Sequence, residues 1–142
     1  MGGRGRPEVV ERWEQALVLW ARVDHALAAA LHTRHGLGLS EYRALSRLAD
    51  SANGELRMQE LADAIGLNQS SVSRLVARLE GAGLSRRDLC PDDKRGVYTV
   101  ITAEGRRGLT AAMPTYERAL TAALDEIAAD RQLAPLIRVL RS

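Results

Sequence analysis

The sequence predicts a mainly α fold with a small β hairpin (α+β), in which a compact helix–helix–hairpin module lies between two long helical ends. Composition is the first indication: apolar residues make up 46% and aromatics 4%, with no Phe. The core must therefore be built mainly from Leu, Ala, Val and Ile, and Ala and Leu lose little on entering a helix. The second is periodicity, since apolar residues at both ends recur at spacings of three and four. The third is a change of period at Leu84–Leu89 and Val97–Ile101, two strand-like runs joined by the polar turn 90–96.

A chain of 142 residues fits one domain with a core of useful size. Residues 1–7 hold only Met, Gly, Arg and Pro and are expected to form a disordered tail, leaving 8–142 as a single domain. From there Val10, Trp13, Leu17, Trp20, Asp24, Leu27 and Leu31 share one helix face. The pattern lasts about 25 residues, or roughly 37 Å. Such a helix overhangs the core of a small domain, so part of its stripe is expected to meet another chain. Gly36 and Gly38 end it. Ser40 is the expected N-cap of a second helix near 41–51, with Tyr42, Leu45 and Leu48 inward. Asn53-Gly54 marks a turn, and Glu55–Arg57 is a candidate for a very short strand. Helices near 58–65 and 69–82 follow, with Gly81 and Gly83 bracketing the end of the latter. Beyond the hairpin, Thr102–Gly105 opens a long helical region to about Ala129, with Leu109, Met113, Tyr116, Leu120, Leu124 and Ile127 as its stripe. Pro114 is expected to kink or split that region, because its ring clashes with the preceding turn. Leu133, Leu136, Ile137 and Leu140 mark a final short helix.

Several function classes find no support. The single Cys90 excludes an internal disulfide framework and fits a reducing compartment. No apolar run approaches the roughly 18 residues that span a bilayer, and the start lacks a signal-peptide core. A cytoplasmic protein without a membrane partner is expected. There is no catalytic triad, phosphate loop or paired-carboxylate site, so neither an enzyme nor a cofactor is expected. His25 and His32 lie about 10.5 Å apart on a helix, too far to share one metal ion. His32 and His35 would need ligands from elsewhere, so no metal site is expected. The net charge of +2 does not by itself identify a partner. Nearly every basic residue is Arg, Lys94 being the only lysine. Arg suits bidentate contacts with phosphate and guanine, although a GC-rich genome would give the same bias.

The segment Met58–Leu79 fits a helix-turn-helix. Ala62 is the small residue needed where the helices cross, and Gly66 tolerates the unusual dihedrals of the turn. Leu61, Ile65, Leu67, Val72 and Leu75 fill the angle between the helices, and Asn68 caps the second. Val72, Leu75, Val76 and Leu79 form its core side; Gln69, Ser70, Ser73, Arg74 and Arg78 form its outer side. Short polar side chains near the N-terminus let such a helix enter a major groove, with its positive dipole end toward phosphate. Gln69 suits adenine and Arg74 guanine or phosphate; the serines suit either role, and Arg78 the backbone. An ordinary antiparallel helix pair with a polar outer face remains the alternative to this motif. The hairpin tip, Pro91–Gly96, is cationic at its end, Lys94-Arg95, and favours DNA, because an arginine there can enter a minor groove.

Residues 40–110 resemble the MarR family. The likeness rests on Leu61-Ala62, Ser70-Ser71-Val72-Ser73-Arg74-Leu75-Val76, Leu79-Glu80, Gly83-Leu84 and Arg87. It continues in Asp93-Lys94-Arg95 and in Ile101-Thr102-Ala103-Glu104-Gly105. Two residues depart from the family pattern: Met58 stands where Ser or Thr usually caps the first motif helix, and Lys94 where Arg is common. The resemblance implies a winged helix-turn-helix over 40–102, flanked by dimerisation helices at 8–33 and 103–142. It implies that Asp93 orients Arg95 toward the minor groove. It also implies a homodimer whose recognition helices, about 34–36 Å apart, address successive major grooves of duplex DNA. The expected DNA contacts are Asn68, Gln69, Ser70, Ser71, Ser73, Arg74, Arg78, Asp93, Lys94 and Arg95.

Asp24 interrupts the apolar stripe of the first helix and must be paired, protonated or wet. A salt bridge across the dimer is one expectation. A candidate effector pocket for a small molecule, shared with Trp13, Trp20, His25, Tyr42 and Arg43, is the other. Cys90 is read as a bystander thiol, and Arg4–Pro7 as a mobile basic arm rather than a minor-groove hook. A repressor reading thus competes with a winged-helix protein-interaction module, and steep salt dependence of duplex binding separates the two.

Overall fold

The computed structural model describes residues 5–89 and 96–142. Helix α1, Glu8–His35, starts behind Pro7 with Glu8 and Glu11 in its first turn and carries Arg34 in its last, charges that suit the helix dipole. Gly36, at φ 61°, stops it. Helix α2 spans Leu39–Asp50, and its N-cap is Gly38 rather than Ser40. Glycine brings no side chain to the cap, so Glu41 reaches back and its Oε2 accepts the Gly38 N–H at 3.3 Å. Asn53 and Gly54 both adopt positive φ, forming the expected turn.

Strand β1 (Glu55–Arg57) leads directly into α3 (Met58–Ile65) and α4 (Gln69–Gly81). Arg57, not Met58, is the N-cap of α3; Glu60 accepts its N–H at 3.0 Å, so a hydroxyl at position 58 is not needed. Strands β2 (Ser85–Leu89) and β3 (Val97–Ile101) pair antiparallel, Ser85 opposite Ile101 and Leu89 opposite Val97. Strand β1 adds to the other edge of β3, Leu56 opposite Thr99, giving the order β1-β3-β2. The expected hairpin is therefore two strands of a three-stranded sheet.

Helix α5, Ala103–Ile127, runs through Pro114 as one helix instead of splitting. Pro114 removes the partner of the Thr110 carbonyl, but both residues are exposed, so water can take the vacant acceptor. The start of α5 is tied to the sheet: Thr102 Oγ1 accepts the Gly105 N–H at 3.0 Å and donates to the Gly83 carbonyl at 2.7 Å. At Gly105 a Cβ would stand 2.1 Å from the Leu84 carbonyl oxygen, so only glycine permits this approach. Helix α6, Ala134–Arg141, completes the chain.

Two apolar cores result. One joins Leu31, Leu45, Leu48, Leu61, Val72, Leu75, Val76, Leu79 and Leu109 beneath the helix-turn-helix. The other packs Leu19 of α1 against Leu124 and Ile127 of α5 and Ile137 of α6. Outside both, Val9, Trp13, Leu17, Val18 and Trp20 of α1 and Val139 and Leu140 of α6 are exposed.

Candidate nucleic-acid interface

The turn between α3 and α4 is built as its sequence demands. Gly66 adopts φ 71°, and Leu67 N–H bonds to the Ala62 carbonyl at 3.0 Å. Ala62 is 2% exposed, which is the close crossing that excludes a larger side chain. Val72, Leu75, Val76 and Leu79 are fully buried and fix the rotation of α4. That rotation leaves Gln69, Ser70, Ser73, Arg74 and Arg78 exposed along one side, with Ser71 half-buried at its edge.

Asn68 serves the helix first. Its Oδ1 accepts the Ser71 N–H at 2.9 Å and the Ser70 hydroxyl at 3.0 Å. Ser70 is thereby held at the helix tip beside Gln69. Arg74 makes no hydrogen bond or ion pair among the described residues, whereas Arg78 Nε lies 3.5 Å from Glu41 Oε1. At the start of the wing, Arg87 Nε donates to Glu80 at 2.6 Å, bracing β2 against the end of α4. Arg57 lies over the Tyr98 ring, 5.4 Å from its centre, and its Nε donates to the phenol oxygen at 3.0 Å. Asp93, Lys94 and Arg95, with Cys90 and Arg4, lie outside the described residues.

The pocket candidates divide. Asp24 is bound bidentately by Arg43, at 2.8 and 3.3 Å, and accepts the Trp20 indole N–H at 2.8 Å. The expected partner across a dimer is thus replaced by Arg43 of the same chain, because α1 crosses α2 at this level. The Asp24 hydrogen bond is the main reason that the Arg43 guanidinium is pushed further up. Tyr42 stacks on Tyr116 with ring centres 4.4 Å apart. Burial, then the neighbouring Tyr116 and Glu117, raise the Tyr42 phenol above its ordinary value of 10.0. Trp20, Tyr42, Arg43, Arg47 and Tyr116 line a cleft of about 450 Å³ between the long helices and the helix-turn-helix. Trp13, 63% exposed, stands apart from it, and His25 faces Arg22 and Glu126 on another side of α1. Sequence reasoning missed Arg47 and Glu41. The Gly38-to-Glu41 spacing was the available signal for the second, since an acid three residues after an N-cap can reach back to it.

Among the described residues no helix is long and apolar enough to cross a membrane, and no group of three His, Cys, Asp or Glu could hold a metal ion. A three-helix core with a flanking sheet, and a polar-faced second helix presented beside a β hairpin, define a winged helix-turn-helix protein. The MarR family model matches residues 35–96. The crystal structure of Sco3205, a MarR family transcriptional regulator from Streptomyces coelicolor in complex with DNA, superposes with a TM-score of 0.76 at 32% identity, covering 91% of this chain and 81% of that one. AbsC, a second MarR family regulator from Streptomyces coelicolor, gives 0.78 at 27% identity over 96% and 93%. The transcriptional regulator HosA of Escherichia coli O111:H- is 31% identical over 83 residues, 58% of this chain and 60% of that protein's length. The chain belongs to the MarR family.

Proposed function

We propose that this chain is a sequence-specific regulator of transcription that binds duplex DNA as a homodimer on a two-fold operator and represses the adjacent gene. The observation that carries the reading is the outer side of α4: a capped helix tip bearing Gln69, Ser70 and Ser73, with Arg74 unengaged among the described residues. Side chains of this size and polarity can approach base edges and phosphates directly. The DNA complex of Sco3205, at 32% identity, supports the same reading. Asn68 and Ser71 contribute by holding the helix tip, and Asp93, Lys94 and Arg95 carry the wing contact that the family resemblance implies. The exposed apolar residues of α1 and α6 are the surface through which two copies join. The cleft beside Tyr42, Arg43 and Trp20 lies where a small effector would alter the angle between the long helices and the helix-turn-helix. The test is a titration of labelled duplex from about 50 to 200 mM salt, where six to ten phosphate contacts weaken binding about 10³- to 10⁵-fold. Binding that ignores salt, or no binding at all, would favour a protein-interaction module instead.

A further inference from the structure

We propose that Glu41 is an internal counter-charge for Arg78, a positioning residue that holds the guanidinium against α2 and weakens the grip on DNA phosphate until the pair is exchanged. The inference rests on the DNA-binding reading above and concerns how that same surface is tuned. Arg74 and Arg78 are one turn apart on the outer side of α4, yet only Arg78 has an ionic partner among the described residues.

The carboxylate is better anchored than the guanidinium. Glu41 Oε2 accepts the Gly38 N–H at 3.3 Å, and Oε1 faces Arg78 Nε at 3.5 Å. The Glu41 side chain is 21% exposed and that of Arg78 57%. Gly38 makes the room: a Cβ there would lie 3.3 Å from both Glu41 Cδ and Oε1, so any other residue would crowd the carboxylate. The positive end of the α2 dipole holds the charge in the same place. When Arg78 moves to a phosphate, Glu41 therefore stays behind, capped but without its counter-charge.

This exchange has a thermodynamic signature. A phosphate contact by a free arginine releases a counterion and adds about 0.9 to the slope of log affinity against log salt. An arginine taken from a carboxylate leaves an anion that gathers a cation, so the net release is smaller. Phosphate contacts carry no sequence information, so the effect is equal on operator and unrelated duplex.

The experiment measures anisotropy of a labelled 30-base-pair random-sequence duplex across a salt series with the parent, Glu41→Gln, Arg78→Gln and the double variant. Gln keeps an oxygen for the Gly38 N–H, so the cap survives while the charge goes. Glu41→Gln is expected to bind roughly three- to tenfold more tightly, the size of a partly exposed charge pair in each of two subunits, with a slope steeper by up to about 0.9 per subunit. In the Arg78→Gln background most of that gain should disappear. A Glu41→Gln gain that persists without Arg78, or no gain, overturns the proposal while leaving DNA binding intact. A parent protein that binds no duplex at low salt overturns the DNA-binding reading and this inference together.

Discussion

Asp24 shows how much a single side chain decides here. It sits in the apolar stripe of α1, where a bare carboxylate would be costly, and Arg43 and Trp20 satisfy it from two directions. Both members of the ion pair are about a third exposed, 31% and 32%, so its net worth is near the upper end for surface pairs. Asp24→Asn is expected to lower unfolding free energy by about 1 kcal/mol, read as a shifted urea midpoint at fixed protein concentration. Tyr42 gives a pH dependence. Its folded value lies above its ordinary 10.0, so the protonated phenol is the form that folding favours. The resulting stability is present below pH 10.0 and is lost as pH rises through the folded value. Tyr42→Phe should flatten the alkaline fall in stability; an unchanged slope would assign that fall to other groups. On the DNA side, Gln69→Ala should cost about 1–3 kcal/mol on the preferred operator and little on unrelated duplex. At this scale the sequence revealed the caps and faces of α4 because each follows from local chemistry. It concealed Arg43 as the partner of Asp24, and Arg78 as that of Glu41, because those pairs form between elements 19 and 37 residues apart.

Among the elements, α5 carries the two sharpest tests. Gly105 approaches the Leu84 carbonyl so closely that a methyl group would force α5 away from the wing. Gly105→Ala is expected to cost about 3 kcal/mol or more, well above ordinary overpacking at its milder end, and to lower the thermal midpoint by about 10 °C. Pro114 predicts the opposite sign. It lies exposed within an unbroken helix, so Pro114→Ala restores a hydrogen bond and should raise stability by up to about 3 kcal/mol. A lower midpoint for that variant would mean that the ring serves the helix's shape. The period of apolar residues made α1, α4 and α5 legible because each has one dominant buried side. The strand β1 was harder to read, since three residues cannot display a period and depend on pairing with β3. Similarly, Ser40 resembled a cap in sequence, but backbone geometry two residues earlier began the helix.

At the scale of the whole molecule, the unsatisfied feature is apolar surface. Trp13, Leu17, Val139 and Leu140 are 63%, 48%, 72% and 63% exposed, although α1 and α6 are otherwise packed on the second core. Contiguous apolar surface of this kind usually marks an interface, which accords with a helix too long for one small core. The sequence made the stripe visible but could not say which of its residues the chain itself would cover. The prediction is that the parent sediments as a dimer at about 10 μM, since interfaces of standard size have dissociation constants from micromolar down to picomolar. Leu17→Glu and Leu140→Glu, one in α1 and one in α6, each place a carboxylate where joining would strip it of water. Neither position supports the helix-turn-helix core, so each monomer should keep its helical signal and unfold cooperatively. Operator affinity should nevertheless fall by about 10² or more, because a dimer binds its second half-site as an intramolecular step and a monomer cannot. Salt dependence should fall with it, as each separated chain neutralises half the phosphates. Variants that remain dimeric by sedimentation would move the interface elsewhere on the surface, and a monomeric parent that still binds one operator tightly would dissolve the two-fold arrangement altogether.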